Sequence, residues 1–197
     1  MIHGIINVYK EKGFTSHDVV AKLRGIVGQK KIGHTGTLDP DATGVLPVCL
    51  GKATKLCDLL TDKNKTYEAV LLLGKTTDTQ DITGEVLEEK STEALTEEKV
   101  RDAIEGFIAD YEQIPPMYSA LKVNGKKLYE LAREGKVIER KARPVKILDI
   151  QILEIDLPKV RMEVSCSIGS SIRWLCDELG EILGCGGGMD SGLRPRV

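Results

Sequence analysis

The spacing of apolar residues changes repeatedly along the chain. Gly4–Tyr9 is a short apolar run that predicts a strand. Ser16 then offers a helix N-cap, and Val19, Val20, Leu23, Ile26 and Val27 fall on one face of a helix that Gly28 ends. Residues Gln29–Gly44 are polar and rich in Gly, Thr and Asp, which predicts a loop. Val45–Leu50 reads as a buried strand, Ala53–Leu60 as a short helix, Tyr67–Leu73 as another strand and Lys75–Gly84 as a polar loop.

Thr96 caps a predicted helix over Glu97–Ile108, with acidic residues in the first turn to suit the helix dipole. Asn124-Gly125, following Tyr118–Val123, is a strong hairpin-turn signal. Leu128–Arg133 reads as a short helix with Gly135 just beyond it. Val145–Ile155 and Val160–Ser167 alternate like two paired strands, and Ile172–Leu183 returns to helical spacing. The glycine-rich tail, Gly184–Val197, predicts little regular structure. Strands and helices mix without a regular βαβ rhythm, and no internal repeat or linker interrupts them. The expected fold is α+β, a mixed and mainly antiparallel sheet flanked by helices, built as one domain over residues 1–197.

The composition is that of a globular protein, with 41% hydrophobic and 29% charged residues. No apolar run has the length of a membrane span, and the first residues lack the basic-then-apolar layout of a signal peptide. A cytoplasmic location is therefore expected, with no membrane partner. The five cysteines form no C-x-x-C pair and the three histidines show no ligand spacing, so neither a disulfide framework nor a metal site is expected. The net charge of −2 is unevenly spread. Residues 1–60 carry eight Lys/Arg against five Asp/Glu, residues 61–110 six against thirteen, and residues 111–150 nine against five. Two basic segments thus flank an acidic one and could supply a phosphate-binding face, although solvated lysines would look the same.

The stretch Gly33-His34-Thr35-Gly36-Thr37-Leu38-Asp39-Pro40-Asp41-Ala42-Thr43-Gly44-Val45-Leu46 carries the most chemistry. Its glycines allow close approach of backbone to a ligand. Pro40 biases Asp39 towards an extended backbone, and Leu38 can anchor the loop in the core. A carboxylate held this way can be presented into a cleft. By physics alone, a surface Asp-Pro turn is the commoner outcome.

The stretch resembles the signature motif of the TruB-type tRNA pseudouridine synthase family. Further similarity lies in Gly4–Lys10 with Gly13-Phe14-Thr15-Ser16, and in Lys65-Thr66-Tyr67 with Leu73-Gly74. It continues in Gln113–Lys122 and in Gly125-Lys126-Lys127-Leu128-Tyr129. The resemblance implies a pseudouridine-synthase-like fold and isomerisation of a uridine in the T-loop of tRNA, at position 55. It implies Asp39 as the catalytic aspartate. Tyr67 would stack on the target base and help remove the proton at C5. Arg173 would pair with Asp39, and His34 would contact RNA near the flipped-out nucleotide. The basic stretch 122–146, with Lys122, Lys126, Lys127 and Arg143, would face phosphates. No metal or organic cofactor is implied, and a monomer acting on the tRNA T-stem-loop is expected, without a protein partner.

The chain departs from the family pattern near its end. Ile168 stands where a lysine is expected, Ser170 where a threonine is, Ser171 where a pocket tyrosine is, and Gly192 where a leucine is. The family's C-terminal RNA-binding domain has no counterpart in these residues. Two readings follow: an active synthase consisting of the catalytic domain, or a tRNA-binding or tRNA-folding module of the same descent with weak or lost catalysis.

Overall fold

A computed structural model describes residues 1–61, 63–119, 121–167 and 169–197. Ala120 and Ile168, which belong to two of the motifs above, lie outside the described residues. The chain divides into two compact units, residues 1–68 with 192–197 and residues 69–191.

The first unit begins with β1 (Gly4–Lys10), α1 (Ser16–Val27), β2 (Ile32–His34) and β3 (Thr43–Leu50). A 3-10 turn over Gly51–Leu56 then leads into α2 (Cys57–Thr61). β3 pairs antiparallel with β1, from Gly4 opposite Leu50 to Lys10 opposite Gly44, and antiparallel with β2. Val20, Ile32, Leu38, Ala42, Leu46 and Val48 make the buried core of this unit, with Val8, Leu23 and Tyr67 packed against it. The apolar face of α1 supplies its share of that core, as its periodicity predicts.

Strand β4 (Lys65–Leu73) carries the chain into the second unit. There follow β5 (Lys75–Thr77), β6 (Val86–Glu89), α3 (Glu97–Glu105), β7 (Asp110–Gln113), β8 (Lys122–Val123), β9 (Lys126–Lys127) and α4 (Leu128–Arg133). The unit is completed by β10 (Arg143–Asp156), β11 (Lys159–Cys166) and α5 (Ile172–Ile182). Strands β4, β11, β10 and β7 are neighbours in that order. The ring of Phe107, just past α3, stacks on Tyr111 of β7 at 4.5 Å, and both approach Trp174 of α5. Finally β12 (Gly187–Arg196) returns the chain to the first unit, where Leu193 and Arg194 pair parallel with Thr43 and Gly44 of β3. The architecture is α+β with a mainly antiparallel sheet, as expected, and five α-helices among the described residues.

Several local expectations need correction. The cap of α1 is Thr15, not Ser16: Thr15 accepts from the Asp18 amide and the Asp18 carboxylate accepts from the Thr15 amide, a reciprocal capping box. Ser16 turns inward instead. The polar stretch 29–44 contains the short strand β2, and the stretch 75–84 begins with β5, which pairs with β6. β7 had no sequence signal, because its four residues Asp110-Tyr111-Glu112-Gln113 are mostly polar and lie on the strand order's outer end.

The tail holds the largest difference. It forms a ten-residue strand rather than irregular chain. Its glycines serve packing. A Cβ on Gly187 would stand 2.9 Å from the Cys176 carbonyl oxygen and 3.1 Å from the Gly180 Cα, and a Cβ on Gly180 would collide with the Gly187 backbone. Strand and helix α5 therefore cross with only hydrogen atoms between them, which glycine at both positions permits. The hairpin at Asn124-Gly125 is as predicted, with both residues at positive φ, 50° and 83°.

Candidate active site

The loop between β2 and β3 is fixed from its interior. Leu38 sits in the core at 3% exposure, next to Asp39. Its amide donates to Ser16 Oγ at 3.0 Å, and the same hydroxyl donates to the Leu38 carbonyl at 3.3 Å. Asp39 itself opens a turn, its carbonyl accepting from the Ala42 amide at 3.1 Å. The next carbonyl, that of Pro40, accepts from the Gly13 amide at 2.9 Å and from Lys10 Nζ at 3.2 Å. The carboxylate-bearing residue thus has a buried neighbour on one side and a doubly bonded carbonyl on the other.

Two fully buried cations support this loop. Lys10, at the end of β1, donates to the carbonyls of Glu11, Phe14 and Pro40. Burial pushes its pKa below the ordinary lysine value, while the charges of Asp39 and Asp41 push it back up. Arg194, on β12, donates from Nε to the Val45 carbonyl at 2.9 Å and from Nη2 to the Gly36 carbonyl at 3.3 Å. The guanidinium carbon lies 6.0 Å from the centre of the Tyr67 ring, within cation–π range. Gly36 has φ +71°, and a Cβ there would stand 2.8 Å from Lys65 Cε and 3.5 Å from Arg194 Nη1. Only glycine suits that place.

Of the residues expected at a site, His34, Asp39 and Tyr67 all lie in this first unit. Tyr67 is half-buried on β4. His34, at the end of β2, meets His17 edge to face at 5.6 Å. Burial, and then the neighbouring His17, hold the His34 pKa below that of an ordinary histidine. Lys10 and Arg194 were not expected. Lys10 has a faint signal in retrospect, a lysine closing an apolar strand. Arg194 had none, because the tail around it read as unstructured.

The other expected residues belong to the second unit. Arg173 is in the first turn of α5, whose N-cap Ser171 accepts from the Trp174 amide. It is buried, donating from Nη2 to the Tyr118 carbonyl at 2.8 Å and from Nη1 to the Thr79 carbonyl at 3.1 Å, with the Asp81 carboxylate 3.7 Å away. These bonds fix the plane of its guanidinium. Lys122 and Lys127 face one another across the hairpin of β8 and β9. Lys127 Nζ donates to the Tyr129 hydroxyl at 3.1 Å, and Lys126 lies 3.8 Å from Glu134. Arg143 is exposed at the start of β10.

A carboxylate on a turn held in this way can attack an electrophilic carbon or stabilise developing positive charge without first reorganising its backbone. Comparison with known proteins identifies the framework. The family model described as "TruB family pseudouridylate synthase (N terminal domain)" matches residues 24–172. The "tRNA pseudouridine synthase B" of Lachnoclostridium phytofermentans is 64% identical over 100% of this chain and 66% of its own length. That of Alkaliphilus oremlandii is 53% identical over 98% of this chain and 64% of its own. The chain therefore spans slightly under two thirds of these relatives. Among solved structures, a chain of a Cbf5-Nop10-Gar1 complex superposes with a TM-score of 0.75 at 33% identity, over 97% of this chain and 47% of that one. No helix among the described residues is long and apolar enough to cross a membrane. On the extent of these matches, the chain belongs to the TruB family of pseudouridylate synthases.

Proposed function

We propose that this chain isomerises a uridine to pseudouridine in the T-loop of tRNA, at position 55, with Asp39 as the catalytic carboxylate and residues 1–197 as the catalytic domain. The bond between ribose C1′ and uracil N1 breaks, the base turns, and C1′ bonds to C5. A proton leaves C5 and N1 gains one, so the atoms balance without any cofactor. Asp39 serves as nucleophile, at C1′ or at the base, or as the charge that stabilises the ribose while it is detached. Tyr67 stacks on the base and helps remove the C5 proton. Arg173 holds the Asp39 carboxylate ionised and oriented, a task suited to a planar guanidinium. His34 contacts the RNA beside the extruded nucleotide.

One observation supports this reading most. The turn that presents Asp39 is tied down by a buried hydroxyl, a buried ammonium and a buried guanidinium. Burying two cations is costly. An ordinary surface Asp-Pro turn requires no such support, whereas a carboxylate that must meet a reacting carbon does.

The hairpin of β8 and β9 supplies a further argument, for an anionic partner. Like charges directly opposite on paired strands, as Lys122 and Lys127 are, weaken the pairing unless an anion lies against them. Lys122, Lys126, Lys127 and Arg143 are assigned to tRNA phosphates, and binding should weaken steeply as salt rises. The function is tested by incubating the purified protein with an unmodified tRNA transcript and mapping pseudouridine. Conversion at position 55 is expected. Tight binding without conversion would overturn the enzymatic reading in favour of a binding module.

A further inference from the structure

We propose that Arg194 is a positioning residue for the reaction, the clamp that sets the distance between the Asp39 turn and Tyr67. The proposal rests on the reading of Asp39 and Tyr67 given above. Its evidence is geometric.

The Asp39-bearing segment leaves β2 and enters β3. Arg194 bonds a carbonyl on each side of Asp39, that of Gly36 before it and that of Val45 after it. Two anchors nine residues apart in sequence are thereby held to one planar group. Nε and Nη2 lie in a rigid fork, so the two carbonyls are fixed relative to one another, which a flexible ammonium could not achieve. The same group lies 6.0 Å from the centre of the Tyr67 ring, at the outer end of cation–π range. Asp39 and Tyr67, the two residues assigned to ribose and base, therefore share one support.

Arg194 is also fully buried, with no exposure, so it cannot meet bulk water or act as an ordinary surface cation. Among the described residues its Nη1 has no hydrogen-bond partner. A charge in that position is expensive to the fold. The backbone that carries it lies close to β3. Gly44 lies opposite Arg194 in the parallel pairing, and a Cβ on Gly44 would collide with the Arg194 backbone. Gly44 thereby lets the backbone that carries Arg194 come close to the start of β3. A Cβ on Gly36 would crowd Lys65 Cε at 2.8 Å and would stand in ordinary contact, at 3.5 Å, with Arg194 Nη1.

The test uses the full chain, an unmodified tRNA transcript and two variants. Arg194→Met keeps length and loses both bonds, while Arg194→Lys keeps charge and loses the fork. Four quantities are measured: the single-turnover rate, the dissociation constant for the transcript, the thermal midpoint, and deuterium uptake at the amides of residues 36–45. The expected result for Arg194→Met is a rate about a hundredfold lower, the scale of a 1 Å misplacement. Uptake should rise at residues 36–45 more than in β10 and β11, with the dissociation constant close to that of the parent. Arg194→Lys should be intermediate, and it carries the test if Arg194→Met does not fold. A purely structural role would lower the midpoint and raise uptake throughout, leaving the rate of the folded protein unchanged, and would overturn the proposal. Unchanged uptake at 36–45 would overturn it too. If the parent makes no pseudouridine, the reading of the function has failed while the uptake measurement still decides the clamp.

Discussion

The loop from Gly33 to Gly44 and the tail from Gly184 to Val197 look alike as sequences, both polar and glycine-rich. They fold in opposite ways. Most of the loop has an irregular backbone, and its carbonyls are held by side chains brought from β1, α1 and β12. The tail is a regular strand, and its glycines remove side chains so that helix α5 can approach. Glycine in the first case, at Gly36, admits a positive φ of +71° and the Lys65 side chain. In the second it admits another backbone. The pattern of polar residues registers neither use, since both depend on what lies across the contact.

This difference can be broken at its glycines. The largest expected change in stability is for Gly180→Ala. The new methyl would meet the backbone of Gly186 and Gly187, which no rotamer change can clear. The cost is expected at or above the upper end of ordinary overpacking, about 3 kcal/mol, read as a lowered denaturant midpoint. Gly25→Ala is the control. Gly25 is inside α1 with nothing within 4 Å of its Cβ position, so this change should stabilise by up to ~1 kcal/mol. Equal losses from both changes would show that helix–strand approach is not what the tail glycines serve.

Ser16→Ala tests the loop from its other support. It leaves the Leu38 amide buried without its acceptor, and about 1–3 kcal/mol of stability should be lost. Had Ser16 been the helix cap, Ser16→Gly would restore most of that loss. With Thr15 as the cap, it should not.

The smallest effect concerns His34 and pH. Its folded pKa lies below its ordinary value of 6.5. Below pH 6.5 the unfolded chain therefore takes up a proton that the folded chain does not, and stability falls as the pH drops from 6.5 to the folded value. His34→Asn should flatten that part of the stability–pH curve, measured by chemical denaturation between pH 7.5 and 5. A variant curve parallel to the parent's would show that His34 is not held neutral by the fold.

Much of the fold was legible because α1, β4, β10, β11 and α5 bury one face and leave a period in the sequence. The hairpin was legible because Asn-Gly has few other uses. β7 and β12 were not. The first is mostly polar, and the second is glycine-rich because it packs closely on Gly180, a residue of another element. Within the candidate site, Asp39 and His34 were singled out through one stretch that resembles the family and Tyr67 through another. Lys10, although it closes another such stretch, and Arg194 were not singled out, because both act on backbone carbonyls, and a carbonyl has no letter in the sequence.

The central claim is that the carboxylate of Asp39 performs the chemistry. The Asp39→Asn protein keeps the size of the side chain and its capacity to form the turn, and loses the charge and the nucleophilic oxygen. Single-turnover conversion of the T-loop uridine should be abolished in this variant, with its thermal midpoint and its affinity for the transcript close to those of the parent. Formation of pseudouridine at the parental rate by Asp39→Asn would contradict the account.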